Sequence, residues 1–175
     1  RAELYRVIML ANADLHIHSP YSIAVSRFMQ PGQLLKGCVT KGIDVLGSGD
    51  ALQPAWQKEW EPYLENDAGI VIIPQGEIED QNRVHHLILA EDFAQFSQLR
   101  DLLEGTCKSF TTSGRPHVYR CGEEIAALAH EVGALIGPAH AFTPWTALYA
   151  YFGRVTDCYG SEPIDFLELG LSADS

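Results

Sequence analysis

Apolar runs rich in valine and isoleucine alternate along this chain with segments of helical periodicity. The runs predict strands within residues 4–17, 43–48, 69–78, 83–90, 134–138 and 164–169. The intervening segments predict helices at residues 31–41, 54–65, 91–103, 123–131 and 143–152. Repeated strand-then-helix units favour a parallel sheet with helical crossovers, which is either an open doubly wound sheet or a barrel.

Polar residues at the ends of the predicted strands decide between these two architectures. In an α/β barrel the carboxyl ends of different strands face one mouth, where their side chains meet. We therefore predict an α/β barrel. The chain stops soon after its last predicted strand, and no closing helix follows. We expect the barrel to be incomplete at its C-terminus and the chain to be a fragment of a longer protein.

The composition, 46% apolar and 20% charged, indicates one soluble globular domain over residues 1–175. The apolar runs are too short to span a bilayer, so no membrane association is expected. Four scattered cysteines without a Cys-x-x-Cys pair fit reduced thiols and predict a cytoplasmic protein. The formal net charge of −11 disfavours a nucleic-acid partner, although carboxylates that hold metal ions are included in it.

The segment from Ala13 to Ser19, Ala-Asp-Leu-His-Ile-His-Ser, carries the strongest functional pattern. Alternate side chains of a strand point the same way, so Asp14, His16 and His18 share one face. Two imidazoles at a strand end form half of a metal site, and we expect Asp14 to orient one of them. A His-x-His pair alone also suits histidines with a structural role, but the acidic residue at the same parity favours ligands.

Carboxylates follow two other predicted strands. Glu77 comes after the apolar run 70–74, and a carboxylate at the end of a buried strand is costly unless it is paired or binds a metal. A glutamate there can bridge two cations about 3.5–4 Å apart. Asp50 ends a Gly-Ser-Gly-Asp sequence, where an acidic residue fits a metal site better than a nucleotide loop. Both are therefore candidate ligands.

Three further histidines lie within or after apolar strands. His85 and His86 are adjacent, and neighbouring strand residues face opposite sides, so at most one of them points into a barrel. His140 follows the predicted strand at 134–138. One histidine of the pair and His140 are candidate ligands. We expect His117, in a loop, and His130, within a helix, to be structural or surface residues.

These motifs together resemble the polymerase-and-histidinol-phosphatase (PHP) superfamily. The matching residues are Asp14-x-His16-x-His18-Ser19, Gly76-Glu77, the histidine in Val84-His85-His86-Leu87, and Pro138-Ala139-His140. The resemblance implies a distorted seven-stranded β/α barrel with up to three divalent metal ions, which are zinc, manganese or magnesium. It also implies a metal-dependent phosphoesterase.

A closer resemblance is to the endonuclease Q group. It rests on the sequences at residues 13–22, 41–50, 54–56, 84–89 and 168–174. Members of that group nick DNA on the 5′ side of deaminated or missing bases. The resemblance therefore implies a DNA repair endonuclease whose partner is DNA that contains deaminated bases.

The resemblance also implies ligands, matched position by position: His16, His18, Asp50, Glu77, His85 and His140. Glu77 would bridge the first two metals, and Asp50 would replace the superfamily's usual histidine at the third, which gives both carboxylates catalytic roles. The superfamily pattern favours His85 over His86. An Asp-x-His motif that completes two sites should follow residue 175, so we expect the chain by itself to bind fewer metals and to have little activity.

Three other functions remain open. A small-molecule phosphatase of the histidinol-phosphate type suits the acidic charge better, and a PHP domain without activity would serve assembly. A metal-dependent amidohydrolase also begins with His-x-His but relies on a modified lysine, and no strand-end lysine is found where one is needed.

An unclosed barrel exposes a strand edge, so we also expect the chain to self-associate, and a clean monomer in light scattering would contradict this.

Overall fold

The computed structural model describes residues 10–107 and 110–170, whose strands form two three-stranded sheets. The parallel sheet contains β1 (Ala13–Asp14), β2 (Val45–Gly47) and β3 (Val71–Ile73). The antiparallel sheet contains β4 (Gln75–Glu79), β5 (His85–Leu89) and β6 (Leu135–Pro138). The predicted α/β class is confirmed, and strand pairs among the described residues do not close a barrel.

The prediction of an entirely parallel arrangement is wrong for the second sheet. Pro74 divides the predicted strand at 69–78 into β3 and β4, which belong to different sheets. Proline has no N–H for a strand ladder, and the Pro74 carbonyl instead accepts the N–H of Ala90 at 3.0 Å. Only residues 80–84 connect β4 to β5. A parallel crossover needs about a dozen residues, so this short connection requires antiparallel pairing.

Helices cover the outside of the two sheets. They are α1 (Pro31–Lys41), α2 (Pro54–Trp60) with a 3₁₀ turn at Glu61–Tyr63, α3 (Phe93–Leu102), α4 (Gly122–Glu131), α5 (Leu148–Tyr151) and α6 (Val155–Tyr159). The helix α1 has the predicted bounds, because Pro31 begins it and Gly42, with φ of 68°, ends it in the left-handed conformation. No helix in the described ranges is long and apolar enough to cross a membrane.

Three segments differ from the sequence prediction. The helix predicted at 143–152 is reduced to α5, and α6 was not predicted. The strand predicted at 164–169 runs beside β6 without forming a regular strand, and Asp165 N–H donates to Ile136 at 2.9 Å. Some predicted segments lie partly outside the described residues. These are residues 4–9 of the strand predicted within 4–17, residues 108–109, and residues 171–174 of the motif at 168–174.

Two apolar clusters hold the helices on the sheets. The smaller cluster joins α1 and α2 to the parallel sheet and contains Trp56 and Trp60, both fully buried. Each indole N–H donates to the Ser48 carbonyl at 2.9 Å, which gives these buried polar groups their partner. The tryptophan pair therefore belongs to the core. The larger cluster lies between the antiparallel sheet and the helices α3, α4 and α6.

Candidate metal centre

Four histidines surround the carboxylate of one fully buried glutamate, Glu77, in the middle of β4. They are His16 and His18, which follow β1, His85 at the start of β5, and His140, which follows β6. The fold therefore brings residues that are far apart in the sequence to one point. His16, His18 and His140 follow strands as predicted, whereas Glu77 lies in the middle of β4 and His85 begins β5. Each of these residues was a sequence-predicted ligand.

The two oxygens of Glu77 face different histidines. Oε1 lies 2.9 Å from His85 Nδ1 and 3.1 Å from His140 Nε2. Oε2 lies 3.4 Å from His18 Nε2, and His16 Nε2 is 3.7 Å from Oε1. Two groups of possible ligand atoms result, His16–His18–Glu77 and Glu77–His85–His140, and within each group the atoms lie within 4.8 Å of one another. Glu77 is common to both groups, as a bridging carboxylate must be.

The other ring nitrogen of each histidine has a polar neighbour. The pairs are His16 Nδ1 with Glu168 Oε2 (2.8 Å), His18 Nδ1 with Asp50 Oδ1 (3.0 Å), His85 Nε2 with Glu79 Oε2 (3.2 Å) and His140 Nδ1 with Thr143 Oγ1 (3.2 Å). A carboxylate neighbour keeps the imidazole proton on the nitrogen that faces the carboxylate. The other nitrogen, which faces Glu77, then keeps a free electron pair that can bind a metal. Three of the four histidines have this arrangement.

Asp50 is fully buried and has a left-handed backbone conformation, with φ of 44°. Its Oδ2 accepts the Ser19 N–H at 2.7 Å and the Ser22 hydroxyl at 2.9 Å, while Oδ1 faces His18. The backbone of Gly114 packs so closely against this carboxylate that a Cβ there would overlap Oδ2. Asp50 thus holds His18 in place, and it lies outside both groups of possible ligand atoms.

An arginine reaches the same glutamate from a loop. Arg115 Nη1 lies 3.0 Å from Glu77 Oε2, and about a third of the Arg115 side chain, 35%, remains exposed. The guanidinium therefore lies between the buried carboxylate and solvent. Its planar set of N–H donors suits two-point contact with a phosphate.

Charge governs the protonation of this cluster. Burial alone would raise the pKa of Glu77, but the imidazoles of His140, His16 and His85 hold it far below its ordinary value. Burial likewise would lower the pKa of His16, yet the carboxylates of Glu168 and Glu77 outweigh this effect and raise it to about 9. Folding therefore favours an ionised Glu77 beside a protonated His16.

The cluster fits divalent cations. His16 Nε2 is buried and has no hydrogen-bond partner among the described residues. A buried ring nitrogen in this state is costly unless something binds it. Imidazole nitrogens together with a carboxylate are ligands that zinc and manganese accept.

The structure decides which of the adjacent residues His85 and His86 faces the candidate metal centre. His85 faces Glu77, whereas His86 is fully buried on the other face of β5 with Nδ1 2.7 Å from the Tyr159 hydroxyl. This agrees with the alternation of a strand. The role predicted for Asp14 is wrong, because Glu168 and Asp50 hold the Nδ1 atoms of His16 and His18.

The two remaining histidines lie outside the cluster. His130 lies 3.2 Å from Glu162 and 3.1 Å from Asp165, away from Glu77. His117 Nδ1 is 2.9 Å from Glu79 Oε1, so it borders the cluster through that glutamate. Both have the structural or surface positions that the sequence predicted.

Sequence reasoning missed three residues that border Glu77 or its histidines. Glu168 and Glu79 stand behind His16 and His85, and Arg115 contacts Glu77 itself. Glu168 lies near the end of the strand predicted at 164–169, as Glu77 lies near the end of that predicted at 69–78, so the rule that selected Glu77 would also have selected it. No local pattern distinguishes Arg115, because its position depends on a loop that folds back over Asp50.

Solved structures with this fold include lesion-specific endonucleases. The crystal structure of the lesion-specific endonuclease PfuEndoQ from Pyrococcus furiosus matches with a TM-score of 0.91 and 42% identity, over 95% of this chain and 44% of that chain. A crystal structure of endonuclease Q with a 27-mer duplex substrate with an abasic lesion at the active site matches with a TM-score of 0.91, 42% identity and the same coverage.

Two uncharacterized proteins are similar to this chain in sequence. An uncharacterized protein of Methanocaldococcus jannaschii is 39% identical over 151 residues, which cover 85% of this chain and 19% of that protein. An uncharacterized protein of Bacillus subtilis is 27% identical over 190 residues, with 93% and 49% covered. No family model matches the sequence.

The chain spans less than half the length of each of these relatives. Within that part, both the sequence and the fold agree with the solved endonuclease over nearly all of the chain. The chain is therefore a relative of endonuclease Q, and the resemblance indicated by its sequence motifs is confirmed.

Proposed function

We propose that this protein hydrolyses a phosphodiester bond of damaged DNA with the help of divalent cations. The observation that carries the proposal is the buried Glu77 carboxylate, which belongs to two groups of possible ligand atoms, one with His16 and His18 and one with His85 and His140. The likeness to a lesion-specific endonuclease supports DNA as the substrate. The finer proposal is a nick on the 5′ side of a deaminated base or an abasic site, and a relative solved with an abasic duplex supports the abasic case.

The cluster offers places for two cations. His16, His18 and Glu77 would hold one, and Glu77, His85 and His140 would hold the other. Bound divalent cations supply an activated water nucleophile and neutralise charge on the phosphate. Asp50 as the ligand of a third cation remains a prediction, since its oxygens contact Ser19, Ser22 and His18.

The surrounding residues position the reacting groups. The carboxylates of Glu168, Asp50 and Glu79 fix the rings of three histidines, so the ligand atoms are aimed before the substrate arrives. Arg115 is the partly exposed cation at the edge of the cluster. We assign it contact with a phosphate oxygen of the substrate, because a guanidinium forms two parallel hydrogen bonds with a phosphate.

We also propose that the two sheets are walls of a PHP-type barrel. A cavity of about 480 Å³ is lined by Ala13 and Asp14 of the first sheet, by Leu15 and His16 that follow β1, and by Leu87 and Leu89 of the second sheet. Apolar residues from the inner faces of both sheets therefore share one interior. The cluster at Glu77 would lie at the mouth of this interior, where an α/β barrel binds its substrate.

The acidic charge favours a second candidate, a small-molecule phosphatase. A net charge of −11 repels a long polyanion more than it repels a small phosphomonoester. Four of these carboxylates, however, are engaged with histidines of the cluster: Asp50, Glu77, Glu79 and Glu168. Cations bound at the cluster would therefore compensate part of the acidic charge where the substrate would bind.

A nicking assay tests the proposal. Duplexes with one uracil, one hypoxanthine or one abasic site would be incubated with the full-length protein that contains this chain and with manganese, magnesium or zinc, beside an undamaged duplex. We expect a single cut 5′ of the lesion. Glu77→Gln should reduce the rate about a thousandfold or more, since it removes the charge shared by both groups of ligands.

Two controls make the result specific. His130→Gln changes a histidine outside the cluster and should leave the rate unchanged. A free phosphomonoester tests the phosphatase alternative on the same preparation. Hydrolysis of the phosphomonoester without any nicking of damaged duplexes would overturn the DNA proposal, and equal cutting of undamaged duplex would overturn lesion specificity.

A further inference from the structure

A second cluster of metal-binding side chains lies on the opposite face of β5 from Glu77. It contains Asp80, which follows β4, His86 in β5, and Cys158 in α6. Their potential ligand atoms lie within 4.8 Å of one another. Asp80 and His86 are fully buried, and Cys158 is 5% exposed. Because adjacent strand residues face opposite sides, His85 and His86 direct their rings into different clusters.

Two polar atoms of this cluster lack hydrogen bonds. His86 Nε2 and Asp80 Oδ2 are 3.2 Å apart, which is an ion pair only when His86 is protonated, and neither atom has a hydrogen bond among the described residues. Leaving such atoms unpaired in a protein interior costs about 1–3 kcal/mol each. A cation between them would satisfy both atoms at once. Their separation is close to the spacing of about 3.3 Å between nitrogen and oxygen ligands of tetrahedral zinc.

The remaining polar atoms of the three residues are already held. Asp80 Oδ1 accepts the backbone N–H groups of Asn82 and Val84, each at 2.8 Å. His86 Nδ1 faces the Tyr159 hydroxyl at 2.7 Å. With its proton on Nδ1, His86 presents a free nitrogen at Nε2, which is the usual arrangement for a metal-binding histidine. Each side chain is therefore fixed by one atom and offers the other to the cluster.

Gly122 brings the thiol up to these atoms. A Cβ at Gly122 would lie 2.7 Å from Cys158 Sγ and 3.0 Å from His86 Cε1, so only glycine lets α4 approach this closely. The sulfur and the imidazole therefore pack against the same backbone atoms at the start of α4. This close packing keeps Cys158 beside His86 rather than turned into solvent.

From these contacts we infer that Asp80, His86 and Cys158 form a buried zinc site separate from the centre at Glu77. Thiolate, imidazole and carboxylate are all zinc ligands. One thiolate and one carboxylate would neutralise a divalent cation, which suits a site surrounded by apolar core. The site would join the β4–β5 connection to α6, with a water as the fourth ligand of a tetrahedral ion. We assign it a structural role because all three side chains are buried.

The Cys158 thiol keeps its proton unless a cation binds. Burial and the charge of Asp80 raise the pKa of the Cys158 thiol to about 12. Without a metal, the thiol is therefore protonated at neutral pH. A bound divalent cation reverses this, since a coordinated thiol loses its proton.

Cobalt(II) spectroscopy tests the inference on the whole chain. Cobalt replaces zinc at sites of this type, and a cobalt–thiolate bond gives a near-ultraviolet charge-transfer band that histidine and carboxylate ligands do not give. The centre at Glu77 contains no cysteine, so its filling does not contribute to the band. We expect the band after chelation and addition of cobalt to wild type, to Cys38→Ser and to His16→Ala/His18→Ala, and its complete loss in Cys158→Ser.

Asp80→Asn provides a second variant that keeps the side-chain shape and an oxygen for the backbone N–H groups. We expect its zinc affinity to fall about tenfold or more, measured by competition with a chromophoric chelator. Absence of the band in folded wild type with excess cobalt would overturn the inference. Persistence of the band in Cys158→Ser would overturn it as well. The His16→Ala/His18→Ala arm keeps this outcome separate from failure of the proposed nuclease.

Discussion

The two faces of β5 carry polar clusters that differ in solvent access. On one face, His85 joins a centre whose other histidines are partly exposed, with 15% to 25% of each side chain accessible. On the other face, His86 lies among Asp80, Cys158 and Tyr159, of which none is more than 5% exposed. Adjacent residues of one strand thus enter environments with different uses.

This difference indicates what each cluster can do. A centre for hydrolysis must admit a substrate, exchange protons and release a product, so it needs a path to solvent and a partly exposed cation such as Arg115. A closed cluster can only hold elements of the fold together. The sequence Val-His-His-Leu places both clusters within two residues, and the pleat of the strand separates them.

The largest expected effect comes from replacing His85 and His86 by alanine, one at a time. His85→Ala removes a ligand of the proposed centre, so we expect nicking to fall about a hundredfold or more with the fold retained. His86→Ala leaves the Tyr159 hydroxyl without its partner in the core and opens a cavity, so we expect a loss of about 2–4 kcal/mol in unfolding free energy. Urea unfolding and a nicking assay on each variant measure both effects.

The comparison fails if the two variants behave alike. Nicking per folded molecule in His86→Ala should stay within about threefold of wild type, since its ring faces away from Glu77. A loss of activity as great as that of His85→Ala, in a protein that is still folded, would show that the two faces are not separate.

The pH dependence of the unfolding free energy tests the partly exposed cluster around Glu77. Folding raises the pKa of His16 from 6.5 to about 9, so the protonated form is stabilised by its carboxylate neighbours. That contribution is complete below about pH 6.5 and is lost as the pH rises through about 9. For chelator-treated protein we expect a fall in unfolding free energy of up to about 3 kcal/mol over this window, reduced by solvent screening.

Two comparisons check this expectation. In His16→Gln the fall between pH 6.5 and 9 should be much smaller, whereas in His130→Gln it should match wild type. A metal ligand must be deprotonated, so the affinity for added manganese or zinc should instead increase with pH over the same range. An affinity that is independent of pH would show that His16 is not a ligand.

The smallest effect is expected at the border of the open cluster. Arg115→Ala should lower kcat/KM for a lesion-containing duplex by about tenfold, through loss of one charge-assisted contact with phosphate. Arg115→Lys keeps the charge but not the paired N–H donors, and should recover only part of this loss. Steady-state nicking rates at several salt concentrations measure it. Arg154, which pairs with Asp157 on the surface, provides the control Arg154→Ala.

Local backbone geometry explains why so much of the centre could be predicted. The alternation of a strand is enough to separate His85 from His86 in β5. His16 and His18 come together as the His-x-His spacing predicted, although both follow β1 rather than belong to it. The high cost of a buried carboxylate is enough to select Glu77. These rules need only a few neighbouring residues, and the structure brings all the predicted histidine ligands to Glu77.

The errors lie where distant segments decide the outcome. Pro74 and the short connection at 80–84 divide the strands between a parallel and an antiparallel sheet, which the strand pattern alone did not show. The helix predicted at 143–152 was largely replaced by a loop that positions Thr143 behind His140. In both places, strand pairing and loop packing outweigh the local periodicity.

The sequence by itself thus determined the α/β class and the identity of the four histidines and the glutamate at the centre. Only the tertiary structure decided that Glu168 and Asp50, rather than Asp14, hold His16 and His18, and that Arg115 reaches Glu77. The physical reason is the range of the interactions. Side-chain direction along a strand is a property of neighbouring residues, whereas hydrogen bonds between side chains depend on how distant strands and loops pack together.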